Sequence, residues 1–213
     1  MLRGRDVKRY KYEWQELYLI ASHNGYDSIP AVDISVYGAV KKHLDSFEPE
    51  LSKRGDRGKT QYNLRNCAYM SEFGKEKIVY QELAQGSAFA LDRKGKYFIN
   101  ASGYLLTGDN LRYLVALLNS KLINFAYKKY YCTLIGTSGV RWQYQHIVNI
   151  PIPLPDDLKV KPLIGRINTL VDNIIDNKEI NRPTESIERE IDTIVYKLYD
   201  LSNDEIKIIE QEQ

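Results

Sequence analysis

Three segments of the 213-residue sequence interleave cations with aromatic and amide side chains. They are residues 3–10 (RGRDVKRY), 59–66 (KTQYNLRN) and 136–143 (GTSGVRWQ). Arg and Lys bind phosphates, and Arg, Asn and Gln can also hydrogen-bond to base edges in the major groove of DNA. Small residues such as Gly136, Ser138 and Gly139 allow backbone amides to approach a phosphate. These residue types indicate contact with a nucleic acid, although each segment alone also fits a strand or loop with solvated charges.

The sequence lacks the residue patterns of several enzyme classes. An amino-methyltransferase that uses S-adenosylmethionine needs a glycine-rich cofactor loop and an (Asp/Asn/Ser)-Pro-Pro-aromatic motif, but the 7 prolines are never adjacent. There is no GxxxxGK(S/T) phosphate loop and no nucleophile elbow. The histidines, His23, His43 and His146, lack the spacing of metal ligands. We therefore expect a binding module, with no catalytic residue, metal or cofactor in this chain.

Two segments nevertheless match the (Asp/Glu)-x-Lys pattern of metal-dependent nucleases. They begin at Asp92 and Asp157. The first lies in a predicted turn and the second begins an acidic segment, so both matches are weak. A small metal-dependent nuclease that uses one of these carboxylates is kept as an alternative function.

Hydrophobic spacing predicts the strands that must position the basic segments. Short apolar runs rich in β-branched and aromatic residues favour strands. They cover residues 17–20, 77–83, 87–91, 97–100 and 141–150. A turn at residues 93–95 predicts that two of these strands form a hairpin.

Apolar residues at intervals of three and four predict helices. One stripe predicts a helix from about residue 35 to residue 53, which Pro49 would kink or end early. A second predicts a helix from Asn110 to about Tyr130, ending in two lysines that complement the helix dipole. Together with the strands, these helices predict an α+β fold in which a mixed sheet packs against helices.

The sequence changes character after residue 155. Two further apolar stripes flank a turn near Asn181–Pro183, and Ser202 begins a capping box before a short last helix. Short connections favour antiparallel neighbours. We therefore predict a domain of residues 1–155 followed by a helical segment, residues 156–213, that forms an antiparallel hairpin.

The two predicted parts carry opposite charge. Residues 1–150 hold 22 Lys and Arg against 14 Asp and Glu, a net charge of +8, whereas residues 151–213 hold 8 against 14, a net charge of −6. A basic body favours a polyanionic partner. The helical segment has an acidic face, which would repel phosphate and suits a spacer or a protein-docking surface. Its carboxylates are Asp172, Asp176, Glu179, Glu185 and Glu188.

Composition limits the remaining possibilities. No apolar run approaches the roughly 20 residues of a membrane span, and the first residues are polar and basic, unlike a secretory signal. Cys67 and Cys132 cannot form a disulfide framework, so we expect a reducing, cytoplasmic setting. The 17 tyrosines suit a large, partly wet contact surface, which keeps a Tyr-rich protein-interaction domain as a second alternative.

Four segments in this order resemble the TaqI-like C-terminal specificity domain, the target-recognition part of Eco57I-type adenine-specific DNA methyltransferases. Such domains occur in type II restriction–modification enzymes. The segments are residues 2–10 (LRGRDVKRY), 62–82 (YNLRNCAYMSEFGKEKIVYQE), 139–155 (GVRWQYQHIVNIPIPLP) and 185–210 (ESIEREIDTIVYKLYDLSNDEIKIIE). The resemblance spans almost the whole chain.

The resemblance implies a module that reads duplex DNA for a larger enzyme. In such enzymes an N-terminal methyltransferase domain of the same polypeptide binds S-adenosylmethionine and methylates adenine N6, and some of them also cleave DNA (type IIG). The target base must leave the stack before it can react, which makes a second DNA-binding lobe useful. The resemblance implies double-stranded DNA and that catalytic domain as partners, and no membrane.

The motifs and the basic segments together give the candidate DNA-binding residues. The resemblance implies that Tyr62 and Arg65 of the YNLR motif and Arg141 of the GVRW motif are the leading candidates. The full set of candidates is Lys8, Arg9, Lys59, Gln61, Tyr62, Arg65, Ser138, Arg141 and Gln143. Individual base contacts do not carry over from the resemblance, because they vary with the target sequence.

The missing motifs give a first testable prediction. The isolated chain should not bind S-adenosylmethionine, because it has neither the Pro-Pro-aromatic motif nor a glycine-rich cofactor loop. Calorimetric titration with the cofactor should show no saturable heat. A site of micromolar affinity would overturn the interpretation of this chain as a recognition module.

Overall fold

The computed structural model describes residues 1–131, 139–158 and 160–211. The chain divides into two compact units. The small unit is Tyr18–Lys75, and the large unit is Met1–Leu17 together with Glu76–Gln213. The predicted α+β fold with C-terminal helices is confirmed.

The centre of the large unit is a three-stranded antiparallel sheet. Its strands are β3 (Lys77–Gln81) in the middle, β5 (Phe89–Asp92) on one side and β6 (Gly103–Leu106) on the other. Because side chains alternate along a strand, Ile78 and Tyr80 pack against helices while Val79 packs on the opposite face. Both faces of β3 are therefore covered, which explains its continuous apolar sequence.

The first residues of the chain cover the second face of this sheet. Strands β1 (Val7–Lys8) and β2 (Lys11–Tyr12) form a short antiparallel hairpin. Leu2, Val7 and Tyr97 pack with Val79 in a small apolar cluster. An isolated parallel bridge joins Leu2 to Ile99 and fixes the chain start beside the sheet.

A fully buried ion pair lies within the sheet. Lys77 and Asp92 face each other across β3 and β5, and Lys77 Nζ donates to Asp92 Oδ2 at 2.6 Å with both side chains 0% exposed. Asp92 also accepts hydrogen bonds from the backbone N–H groups of Lys96 and Tyr97. These bonds fix the turn after β5 and offset the cost of burying the two charges.

Helices cover the first face of the sheet. Helix α3 (Leu111–Asn119) continues into α4 (Lys121–Ala126) and a π-helical turn (Tyr127–Tyr131). Ser120 separates α3 from α4 because its backbone is extended, with φ −64° and ψ 154°, while its hydroxyl caps the next turn by accepting from Ile123 N–H. The predicted single helix over 110–130 is therefore two helices and a turn.

The predicted C-terminal hairpin is confirmed. Its helices are α6 (Lys161–Glu179) and α7 (Glu185–Leu198), and α8 (Asn203–Gln211) follows. The stripe of α6, including Ile167, Val171 and Ile174, is buried against α3 and α7. Ser202 and Glu205 form the predicted capping box at the start of α8. The division of the chain at residue 155 stays a prediction. The apolar residues of the hairpin belong to the same buried cluster as the sheet.

The predicted acidic face of the hairpin is largely paired with cations of the same unit. Arg93 contacts Asp176 at 2.8 Å and Glu179 at 3.2 Å. Two further pairs are Arg112 with Asp172 at 2.9 Å and Arg9 with Glu188 at 2.5 Å. On α8, which follows the hairpin, Glu210 pairs with Lys121. The opposite charges of the two sequence regions therefore meet within one unit, and the expectation that the hairpin points away from DNA stays a prediction.

Shorter elements complete the large unit. Strand β4 (Leu83–Ala84) pairs antiparallel with β7 (Val140–Arg141), and α5 (Tyr144–Ile147) follows. The predicted strand over 141–150 is wrong beyond its first residue, because α5 occupies that segment. The predicted strand at 97–100 is also wrong, although Ile99 forms the parallel bridge.

The small unit has few buried residues. It contains α1 (Gly38–Asp45) and α2 (Glu48–Lys53), neither of which has a buried residue. Its buried side chains are Ser22, Ile34 and Asn63. The predicted helix over 35–53 is broken at Ser46 and Phe47, and the predicted strand over 17–20 is wrong because that segment is irregular. Polar contacts, more than apolar burial, hold this unit.

No helix within the described ranges combines the length and the apolar character needed to cross a membrane.

The buried ion pair gives a stability prediction. Replacing Asp92 with Ala removes the carboxylate that pairs with the buried Lys77 ammonium, so the free energy of unfolding should fall by about 3–5 kcal/mol. Lys207→Ala is the control, because Lys207 pairs with Asp204 in an exposed position where an ion pair contributes at most about 1 kcal/mol. Urea unfolding measures both changes. Equal effects of the two substitutions would contradict the structural role assigned to Asp92.

Candidate nucleic-acid interface

The large unit presents a two-stranded ribbon made of β4 and β7. Leu83 lies directly opposite Arg141 in this ribbon, and Ala84 lies opposite Val140. Both Leu83 and Arg141 are exposed. An antiparallel ribbon of this kind is narrow enough to enter the major groove of B-DNA.

Buried aromatic rings of the core fix the backbone of the ribbon. Trp142 is buried, stacks on Tyr127 with a centroid distance of 3.9 Å, and meets Phe89 edge to face. Trp142 Nε1 donates to the Gly86 carbonyl at 3.0 Å. The Tyr127 hydroxyl donates to the Arg141 carbonyl at 2.9 Å and accepts from Gln143 N–H at 3.1 Å. The backbone on either side of Arg141 is therefore fixed by the core.

The N-terminal candidates differ in their contacts. Lys8 is exposed, and its ammonium donates to the Arg5 carbonyl at 2.8 Å. Arg9 is half-buried and donates to Glu188 and to the Asn119 carbonyl. Although burial opposes ionisation, the charge and hydrogen bond of Arg9 hold the pKa of Glu188 below its ordinary value. Arg9 thus joins the N-terminal hairpin to α7, and its contact with DNA stays a prediction.

Next to the ribbon lies a polar depression that the sequence did not predict. It has a volume of about 410 Å³ and is lined by Arg3, Arg5, Gln81, Glu82, Leu83, Asn100 and Ser102. Gly4 allows the N-terminal turn to approach closely here, because a Cβ at this position would lie 2.3 Å from the Ser102 carbonyl oxygen. Gln81 and Asn100 lie in an apolar strand and a turn, so no local pattern marks them.

The candidates of the small unit lie on one loop that a buried amide organises. Asn63 Nδ2 donates to the Val32 carbonyl at 2.9 Å, and Asn63 Oδ1 accepts from the Thr60 hydroxyl at 2.7 Å. Its own carbonyl accepts from Gly58 N–H and from the Arg54 guanidinium. Because an unsatisfied buried amide is costly, this network fixes the backbone of residues 58–63.

Tyr62 contacts two charged residues of α1. Its hydroxyl donates to Asp45 at 2.6 Å, and the Lys41 ammonium lies 5.4 Å from its ring centroid. Lys41 also pairs with Asp45 at 2.7 Å. Hydrogen bonds from Lys41 and then Tyr62 hold the pKa of Asp45 below its ordinary value. This places an aromatic ring beside a cation at the surface, an arrangement that suits contact with phosphates or bases.

The other candidates of this loop are accessible. Arg65 pairs with Asp56 at 3.0 Å, and both side chains are 69% exposed. Lys59 is exposed, while Gln61 is partly buried with its carbonyl accepting from Arg54. An exposed ion pair contributes little to stability, so Arg65 can exchange Asp56 for a phosphate or a base at little cost.

The structure thus divides the candidates into two groups. Lys8, Arg9, Arg141 and Gln143 belong to the large unit, and Lys59, Gln61, Tyr62 and Arg65 to the small unit. Ser138 lies outside the described residues. The assignment of all nine residues to DNA binding stays a prediction.

The two carboxylates of the nuclease alternative lie in different environments. Asp92 is fully buried, and its oxygens accept hydrogen bonds from Lys77, Lys96 and Tyr97. Asp157 is exposed in the turn before α6. In the part of the chain that the structure describes, no group of three or more His, Cys, Asp or Glu side chains is placed to share a metal ion.

The sequence of the chain matches a known protein family. The sequence profile of the TaqI-like C-terminal specificity domain matches residues 1–152. The matched region includes the loop of Tyr62 and Arg65, the central sheet and the ribbon of Arg141.

The exposed arginines give a binding prediction. Arg65→Ala and Arg141→Ala should each weaken binding to duplex DNA while the melting temperature stays nearly unchanged, because both side chains are accessible. Arg166→Ala is the matched control, since Arg166 forms a comparable exposed pair with Glu190 on the helical hairpin. Fluorescence anisotropy with a labelled duplex measures the affinities. If the control variant loses as much affinity as the other two, general charge and not a local contact accounts for binding.

Proposed function

This chain belongs to the family of TaqI-like C-terminal specificity domains, and we propose that it reads the target sequence for an adenine-N6 DNA methyltransferase or a type IIG restriction–modification enzyme. It is a DNA-recognition module of a restriction–modification enzyme family. The observation that carries the finer proposal is the ribbon of β4 and β7, which presents Arg141 on a backbone fixed by buried aromatic rings.

The arrangement supports readout more than catalysis. Arg141 and Leu83 lie side by side on an exposed ribbon, and Gln81 and Asn100 line the adjacent depression. Arg pairs with guanine, Asn and Gln pair with adenine, and apolar side chains contact the thymine methyl group. The loop of the small unit adds Lys59, Tyr62 and Arg65 as proposed phosphate or base contacts.

The methylation itself would take place in a separate catalytic domain of the same polypeptide. We expect this chain to take no chemical step, because its sequence has neither the Pro-Pro-aromatic motif nor a glycine-rich loop for S-adenosylmethionine. Its proposed contribution is to hold the duplex while the target adenine leaves the stack. Its proposed location is the cytoplasm, where its DNA substrate lies.

Salt dependence tests the proposal against a protein-binding function. Binding that neutralises phosphates weakens by roughly 0.9 log units per contact for each log unit of salt. The association constant of the full chain for a random duplex should therefore fall steeply between low and physiological salt. A matched titration in glutamate instead of chloride separates anion effects from phosphate contacts. Absent or salt-independent DNA binding would overturn the proposed function.

A further inference from the structure

The ribbon carries a carboxylate beside its proposed DNA-contacting arginine. Glu82 Oε1 accepts a 2.6 Å hydrogen bond from Arg141 Nε, with 49% of the Arg141 side chain and 21% of the Glu82 side chain exposed. A carboxylate repels the phosphates of DNA. Its position next to Arg141 therefore needs a reason other than general affinity for DNA.

The backbone of Glu82 is fixed from two sides. Its carbonyl accepts from Trp142 N–H at 2.7 Å, and its own N–H donates to the Ser102 carbonyl at 3.3 Å. Trp142 is buried, and Ser102 lies directly before β6. The position of the carboxylate is thus set by the sheet and the ribbon together, as the position of Arg141 is set by Tyr127 and by pairing with β4.

The ion pair between Glu82 and Arg141 adds little to stability, but it constrains the orientation of the Arg141 guanidinium. A partly exposed ion pair contributes at most about 1 kcal/mol. A guanidinium is planar and presents its N–H donors as a rigid fork. A carboxylate that accepts from Nε restricts the plane of that fork, because both backbones are already fixed.

We propose that Glu82 is a positioning residue that aims the guanidinium of Arg141 at a guanine in the major groove. This inference rests on the proposed DNA-reading function. Guanine presents two acceptors, N7 and O6, which a correctly oriented guanidinium can contact simultaneously. Sequence discrimination by Arg141 then depends on Glu82, while contact with phosphates does not.

Leu83 extends the proposed base readout by Arg141 to a neighbouring base pair. It lies directly opposite Arg141 and is 56% exposed. An apolar side chain on a ribbon in the major groove contacts the methyl group of thymine. The ribbon therefore favours a thymine close to the guanine that Arg141 reads.

Removal of the Glu82 carboxylate should change base-pair preference and affinity for unrelated DNA in different directions. Without Glu82, the Arg141 guanidinium loses the carboxylate that accepts from its Nε, so preference for one base pair should fall. At the same time one negative charge leaves the surface, so affinity for unrelated DNA should stay equal or rise. A residue with a merely structural role would lower both together.

The test is selection of binding sites by the full chain from a pool of randomised duplexes, followed by affinity measurement. Arg141→Ala should reduce the preference for one G·C pair about 5- to 150-fold. Glu82→Gln should reduce the preference for the same base pair without weakening binding to unrelated DNA. Glu82→Asp keeps the charge on a shorter side chain. It should reduce the preference for the same base pair without raising the affinity for unrelated DNA.

Glu76→Gln is the matched control, because Glu76 accepts from Arg112 at 3.0 Å in a similarly exposed pair of the same unit. It should leave the selected sequence unchanged. If Glu82→Gln keeps the wild-type preference, or relaxes a different base pair from Arg141→Ala, the inference is overturned while the proposed function stands. A wild-type chain that binds DNA without selecting any sequence overturns both.

Discussion

The packing of helix α6 against α3 is the contact on which the rest of the large unit depends. Ile167, Val171 and Ile174 bury the inner face of α6 in the core that also contains the first face of the sheet. Around this apolar seam, Arg93 and Arg112 pair with carboxylates of α6. Apolar burial supplies most of the stabilisation, and the pairs around it fix the direction of packing.

The proposed reading surface is a consequence of that core. Trp142 and Tyr127 belong to the same buried cluster as the helices, and they hold the ribbon that presents Arg141. Arg141, which is proposed to contact DNA, therefore lies on backbone that the core of the large unit fixes, while the loop of the small unit is held by polar contacts of Asn63. Preorganised side chains lose less entropy on binding, which favours specific contacts.

Much of the fold was predictable from local patterns, but the site was only partly so. The stripe of α6 and the capping box at Ser202 follow from helical spacing, and the apolar run of β3 follows from its burial on both faces. The partner of Arg141 was not predictable, because Glu82 lies 59 positions away in the sequence. The break at Ser120 was also missed, although the hydrogen bond that caps the next turn is local. Net charge did not show which cations are paired within the unit, since Arg9 and Arg93 form ion pairs with carboxylates of the helical hairpin.

Native-state hydrogen exchange tests most directly whether the C-terminal helical hairpin is part of the core of the large unit. Amides of α6 should exchange with a free energy close to that of β3, because both belong to one buried cluster and open together. Exchange in both segments should then depend on denaturant in the same way. If α6 and α7 exchange several kcal/mol more easily than β3, the hairpin is an independent appendage, and the core described here does not support the ribbon.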